Sequence, residues 1–167
     1  VTLNATPFNG STNEEYTFFH IDRYTGGTNQ RIWQGVGVDT VEASYKNYLS
    51  GFWYGYVGVY YQNAWVNYNN NYLYKSTNWL LTVDQNVSKG GIVKNYYFNN
   101  SEYVTYTYNS FQPNTGGGFE NLEYLTNLAI NTGSYGSEQS DWGVAVVIMY
   151  NRALDSDEIT QVENYLK

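Results

Sequence analysis

The chain has 167 residues, no cysteine, one histidine (His20) and a formal net charge of −7 at pH 7. The missing cysteines exclude disulfides and thiolate metal sites, and one histidine argues against a His-based zinc site. An acidic chain repels a phosphate backbone, so nucleic acid is not an expected partner. No apolar run approaches the ~20 residues that cross a membrane as a helix.

The sequence of the first two thirds of the chain predicts short β-strands separated by turns rich in glycine and asparagine. Aromatic residues make up 19% of the chain and favour strands. Turn chemistry at Gly26-Gly27 predicts a hairpin between the strands at 16–24 and 31–38. A long aromatic strand is expected at 52–61, with Gly55 and Gly58 marking a bulge or a close backbone approach. Further strands are predicted at 78–83, 91–98 and 103–108.

The last third predicts a strand followed by a helix. Residues Trp142 to Tyr150 are apolar on both faces, which is typical of a central, buried strand. Asp155 and Glu158 have the spacing of a capping box, and Leu154 and Ile159 that of a hydrophobic staple. The helix is expected to lie against the sheets through one face, made of Ile159, Val162, Tyr165 and Leu166.

This C-terminal stretch, from Ser140 through Tyr150-Asn151-Arg152-Ala153-Leu154 to Leu166, resembles the ending of laminin-G-like domains. Those domains belong to the concanavalin A-like lectin/glucanase superfamily. Residues 18–24, 31–33 and 51–59 are similar to their middle strands. The resemblance implies one domain over 1–167, all-β, a two-sheet antiparallel jelly-roll sandwich with a short C-terminal helix. The family's first strand, with its Trp-x-Asp pattern, is missing or degenerate here.

Catalytic patterns are weak in this sequence. A retaining glycoside hydrolase needs two carboxyls roughly 5–5.5 Å apart, and no strand carries an alternating acidic cluster of that kind. A Ser-His-Asp triad would require His20, which shares a strand face with Asp22 because the two are two residues apart. A hydrogen-bonded structural histidine is the favoured interpretation. We therefore predict no catalytic residues.

Calcium is the one cofactor that the sequence leaves open. Calcium takes six to eight oxygen ligands, and some laminin-G-like relatives bind it. Asp39, Asp84 and Asp141 are predicted to lie near loops that also contain asparagine. No Asp-x-Asp-x-Asp-Gly loop is present, so no ligand set is assigned.

A stretch that combines aromatic and amide side chains is the candidate binding site. Sugars pack on aromatic faces and hydrogen-bond to planar amides. The candidate ligand-binding residues are Trp65, Tyr68, Asn69, Asn70, Tyr72 and Tyr74. The alternatives are that Trp65 fills the core and that the asparagine run is a solvated turn.

Three functions follow, in order of preference. The first is a non-catalytic carbohydrate-binding or adhesion module, with a glycan or glycoprotein as partner, on a secreted, cell-surface or virion-surface protein. The second is a structural unit of a viral capsid, spike or surface filament, assembled through protein–protein contacts in which a strand could be supplied by a neighbouring chain. The third is a glycoside hydrolase.

Overall fold

The structure is a computed structural model in which most of the described residues form β-strands. It describes residues 2–3, 15–37, 48–54, 56–61, 64–69, 77–86, 92–99, 102–109, 125–132 and 137–167. The strands are β1 (Thr2–Leu3), β2 (Tyr16–Tyr24), β3 (Trp33–Gly37), β4 (Tyr48–Trp53), β5 (Tyr56–Tyr61), β6 (Ala64–Asn69), β7 (Leu80–Asn86), β8 (Ile92–Asn99), β9 (Glu102–Asn109), β10 (Leu125–Ile130) and β11 (Trp142–Tyr150). One helix follows, α1 (Ser156–Leu166). The all-β prediction with a C-terminal helix is confirmed.

The strands form two antiparallel sheets. One has six strands in the order β1-β10-β3-β4-β5-β6, and the other has five in the order β11-β2-β7-β8-β9. The two sheets enclose a common core to which both contribute large side chains. From the five-stranded sheet come Tyr16, Phe18, Tyr24 and Leu80, and from the six-stranded sheet come Trp33, Tyr48, Phe52, Val57 and Leu128.

The opposite face of the five-stranded sheet is covered by α1. Phe19, Leu81 and Val83 form a second apolar cluster there with Leu154 and Ile159. Because side chains alternate along a strand, β2 serves both layers, with even-numbered residues in the shared core and Phe19 under the helix.

The helix begins as the sequence predicts. The Asp155 side chain accepts hydrogen bonds from the backbone N–H groups of Asp157 and Glu158, and the Glu158 carboxylate accepts from the Asp155 N–H. The predicted burial of Tyr165 is wrong, because its side chain is 85% exposed. Glu163 is buried instead, so the buried face of the helix is rotated away from Tyr165.

The predicted hairpin across Gly26-Gly27 is wrong. Strand β2 pairs with β11 and β7, whereas β3 pairs with β10 and β4 in the other sheet. The connection therefore crosses from one sheet to the other. Tyr24 and Trp33 both end in the shared core, which they enter from opposite sheets.

The predicted long strand at 52–61 is also divided. Trp53 pairs with Tyr56, so β4 and β5 form a hairpin whose turn includes Tyr54, with a positive φ of 48°. Gly55 lies outside the described residues. Gly58 pairs with Gly51 in regular register, and the nearest irregularity falls between Val59 and Tyr60 in the pairing with β6.

Strand β11 lies at the edge of its sheet, which corrects the predicted central position. Among the described strands it pairs with β2 alone, and its residues are half-buried or exposed. Both faces of β11 are apolar because each face packs against a different apolar cluster. Val144 and Met149 pack against the shared core, whereas Ile148 and Tyr150 pack against the cluster under the helix.

Gly51 is a position where only glycine fits. Its φ is +87°, and a Cβ added there would lie 2.8 Å from His20 Cε1. We expect Gly51→Ala to lower the free energy of unfolding by about 2 kcal/mol or more, since backbone strain and displacement of the His20 ring add together. Gly27→Ala is the matched control, because a Cβ there meets nothing within 4 Å. Urea unfolding followed by tryptophan fluorescence measures both, and equal midpoints would contradict the assignment.

Candidate functional site

The most polar part of the core centres on His20. Its Nδ1 lies 2.7 Å from Asp22 Oδ2, and both side chains are fully buried. The prediction that the two share a strand face is confirmed. A carboxylate so close to Nδ1 favours a proton on that nitrogen and fixes the orientation of the ring.

The other ring nitrogen of His20 reaches the six-stranded sheet. His20 Nε2 lies 3.0 Å from the hydroxyl of Ser50 on β4. Ser50, His20 and Asp22 thus follow one another in the hydrogen-bond order of a catalytic triad. All three side chains are fully buried. The arrangement joins two sheets and supports the structural interpretation of His20.

Asp22 receives a second donor from the opposite sheet. Trp33 Nε1 donates to Asp22 Oδ2 at 2.6 Å, and the Trp33 ring packs edge-on against Phe18. Among the described residues, Asp22 Oδ1 has no hydrogen-bond partner. A buried carboxylate is costly unless it is hydrogen-bonded, so the two donors on Oδ2 carry most of the compensation.

A second buried carboxylate, Asp84 on β7, lies in the same layer. The hydroxyl of Tyr16 lies 3.3 Å from each Asp84 oxygen, and the hydroxyl of Tyr48 also donates to Asp84. Burial raises the pKa of Asp84 to about 6, although Tyr48, the charge of His20 and Tyr16 act in the opposite direction. Burial also raises the pKa of both tyrosines, with Asp84 as the next cause, so they stay neutral donors.

These seven side chains form one buried polar network between the sheets: Tyr16, His20, Asp22, Trp33, Tyr48, Ser50 and Asp84. From the sequence, only His20 and Asp22 were expected to meet, because Trp33, Tyr48, Ser50 and Asp84 lie on other strands. A signal was present, since Asp84 follows the apolar residues Leu80, Leu81 and Val83 on β7, where a carboxylate is unexpected.

A second polar cluster ties the crossing segment to the chain before β11. Arg31 forms a nearly buried ion pair with Glu138. The Ser140 hydroxyl donates to the Arg31 carbonyl at 3.0 Å and accepts from the Gln30 N–H at 2.8 Å. These contacts hold in place the segment between β2 and β3, which crosses from one sheet to the other.

The predicted sugar-binding residues divide into two groups. Trp65, Tyr68 and Asn69 lie on β6, the outermost strand of the six-stranded sheet. Asn70, Tyr72 and Tyr74 lie outside the described residues. In the pairing with β5, Tyr68 is opposite Gly58 and Asn69 is opposite Val57.

Of the three aspartates considered for calcium, Asp84 lies near the end of β7 and is buried in the network, and Asp39 lies outside the described residues. The Asp141 carboxylate accepts from the Thr28 N–H at 3.0 Å. Within the described ranges, no group of three or more His, Asp or Glu side chains is placed to hold a metal ion.

Comparison with protein families, with curated proteins and with solved structures gives no match for this chain. In the described part of the chain, no helix is long and apolar enough to cross a membrane.

Asp84 makes stability depend on pH. A pKa raised above the unfolded value of about 3.9 means that the folded state holds the proton more tightly. The contribution of the Asp84 proton to the free energy of unfolding is fully present below about pH 4 and is lost as the pH rises through about 6. For a pKa shift of about two units, this contribution is about 3 kcal/mol. Asp84→Asn removes this dependence while keeping an oxygen that accepts from Tyr16 and Tyr48.

Urea unfolding of both proteins between pH 4 and 7 measures the effect. Subtracting the Asp84→Asn curve from that of the unsubstituted chain cancels groups such as Glu158, whose pKa is lowered to about 2, chiefly by the hydrogen bond from Arg152. The difference should favour the unsubstituted chain increasingly as the pH falls. A difference that is flat over this range would contradict the assignment.

Proposed function

We propose that this chain is a non-catalytic carbohydrate-binding module of a secreted, cell-surface or virion-surface protein. The observation that carries the proposal is the position of β6, which brings Trp65, Tyr68 and Asn69 to the edge of the six-stranded sheet. Among the described strands, β6 has a hydrogen-bonded neighbour on one side only. Aromatic rings and amides are the groups that sugars need.

The pairing of β6 favours Tyr68 as the central contact. Val57 packs in the shared core, and Asn69 is opposite Val57. Tyr68 is opposite Gly58, so no side chain of β5 stands directly across from it.

We place the two sheets in the jelly-roll class of concanavalin A-like domains. Support comes from the resemblance of residues 140–166 to laminin-G-like endings, and the strand-then-capped-helix order is compatible with it. The non-catalytic interpretation is supported by the burial of Ser50, Asp22 and Asp84, since a hydrolase needs such groups at a cleft.

Tyr68→Ala tests the glycan proposal. We expect it to weaken the best ligand of a glycan array at least tenfold, about 1.4 kcal/mol of binding free energy, through loss of ring contact. Tyr165→Ala is the control, since that tyrosine is 85% exposed on α1 and should bind like the unsubstituted chain. An array without binding, with and without calcium, would refute the proposal.

A structural assembly unit is the second candidate, and strand β11 favours it. This nine-residue edge strand contains no charged residue, and Val147 is 38% exposed. Proteins usually protect long edge strands with charges, because a free edge pairs with other chains. The bulge between Val144 and Val146 protects only its first half.

Val147→Lys tests this candidate. If copies pair through β11, a charge at its exposed position should dissociate the oligomer, as seen by light scattering after size-exclusion chromatography. Gln161→Lys adds the same charge to an exposed position of α1 and should leave the oligomer intact. An unsubstituted chain that stays monomeric at every concentration would exclude assembly through this strand.

A further inference from the structure

The outer face of the five-stranded sheet carries a stacked pair at the end away from α1. The guanidinium carbon of Arg23 lies 4.4 Å from the centroid of the Trp79 ring, and both side chains are partly exposed. Gly143 on β11 pairs with Arg23 and lies beside the two stacked side chains. A Cβ added at Gly143 would lie 3.4 Å from Thr25 Cγ2, 3.8 Å from Trp79 Cη2 and 3.9 Å from Arg23 Cγ. We call these four residues the Arg23 platform.

Among the described residues, Arg23 has no carboxylate partner, which distinguishes it from the other arginines. The other two arginines of the chain form ion pairs, Arg31 with Glu138 and Arg152 with Glu158. In the described part of the chain, the Arg23 side chain makes no hydrogen bond or ion pair, and its Nε is buried with no acceptor. The chain has 15 acidic residues to 8 basic ones, so a partner would be easy to supply.

A buried donor without an acceptor costs free energy that a ligand can recover. The guanidinium is a flat fork that binds a carboxylate through two parallel hydrogen bonds. Contact with an indole ring holds that fork in one orientation, which reduces the ordering cost of binding. Asp141, which precedes β11, accepts from the Thr28 N–H.

We propose that the Arg23 platform binds the carboxylate of an acidic sugar, a uronic or sialic acid residue, with Trp79 providing the apolar surface beside the sugar ring. This inference rests on the proposed carbohydrate binding, and it names the substrate class and a contact surface separate from β6. The ligand carboxylate replaces the missing protein partner of Arg23, whereas a neutral sugar leaves it unpaired.

The test is a calorimetric titration of the full chain with N-acetylneuraminic acid and galacturonic acid, and with galactose as the neutral probe. We expect both acids to bind at least tenfold more tightly than galactose. Arg23→Gln should remove that preference, and Arg23→Lys should keep only part of it, since an ammonium lacks the fork. Arg152→Gln makes the same substitution at an exposed arginine and should bind like the unsubstituted chain.

The outcomes separate this inference from the proposed function. Galactose binding as tightly as the acids, or an acid preference that survives Arg23→Gln, overturns the inference and leaves carbohydrate binding at β6 standing. A loss in Arg152→Gln as large as in Arg23→Gln also overturns it. Failure of every sugar, here and on a glycan array, overturns both proposals. Thermal unfolding of each variant verifies that the compared chains are folded.

Discussion

The constraint on which the structure depends is the burial of two carboxylates between its sheets. Asp22 and Asp84 are both fully buried, and each has donors on both sheets. Asp22 has His20 and Trp33, and Asp84 has Tyr16 and Tyr48. Losing one donor removes part of the hydrogen bonding that offsets the burial of a carboxylate. The network therefore selects one relative position of the sheets, a specificity that apolar packing alone does not provide.

The predictions succeeded where local chemistry decides the structure. The capping box needs only Asp155 and Glu158, three residues apart, so the sequence identified the start of α1 without tertiary information. It placed His20 and Asp22 together through strand alternation. The buried side of the helix was harder, because periodicity defines a stripe but not its limits. Tyr165 at the margin of the stripe is exposed, and Glu163 is buried.

The predictions failed where lateral position decides the structure. An apolar residue indicates that its face is covered, not that its strand has neighbours on both sides. Strand β11 is covered on one face by the shared core and on the other by the layer under α1, so it resembles a central strand while lying at an edge. In the same way, glycines between two strands indicate a change of direction. Gly26-Gly27 changes direction between sheets, which requires partners such as β10 and β11, more than 90 residues away along the chain.

The sparse charge of this chain makes each charged side chain informative. Only 14% of the residues are charged, against about a quarter in typical domains, so general solvation is left to polar and aromatic groups. Most described charges then have a specific position: Asp84 in the core network, Arg31 with Glu138 at the sheet crossing, and Arg152 with Glu158 at the helix start. Arg23 is an exception, because the described interactions of its guanidinium are limited to the Trp79 ring. Because charge is used sparingly here, this arginine is the described charge for which we propose a partner outside the chain.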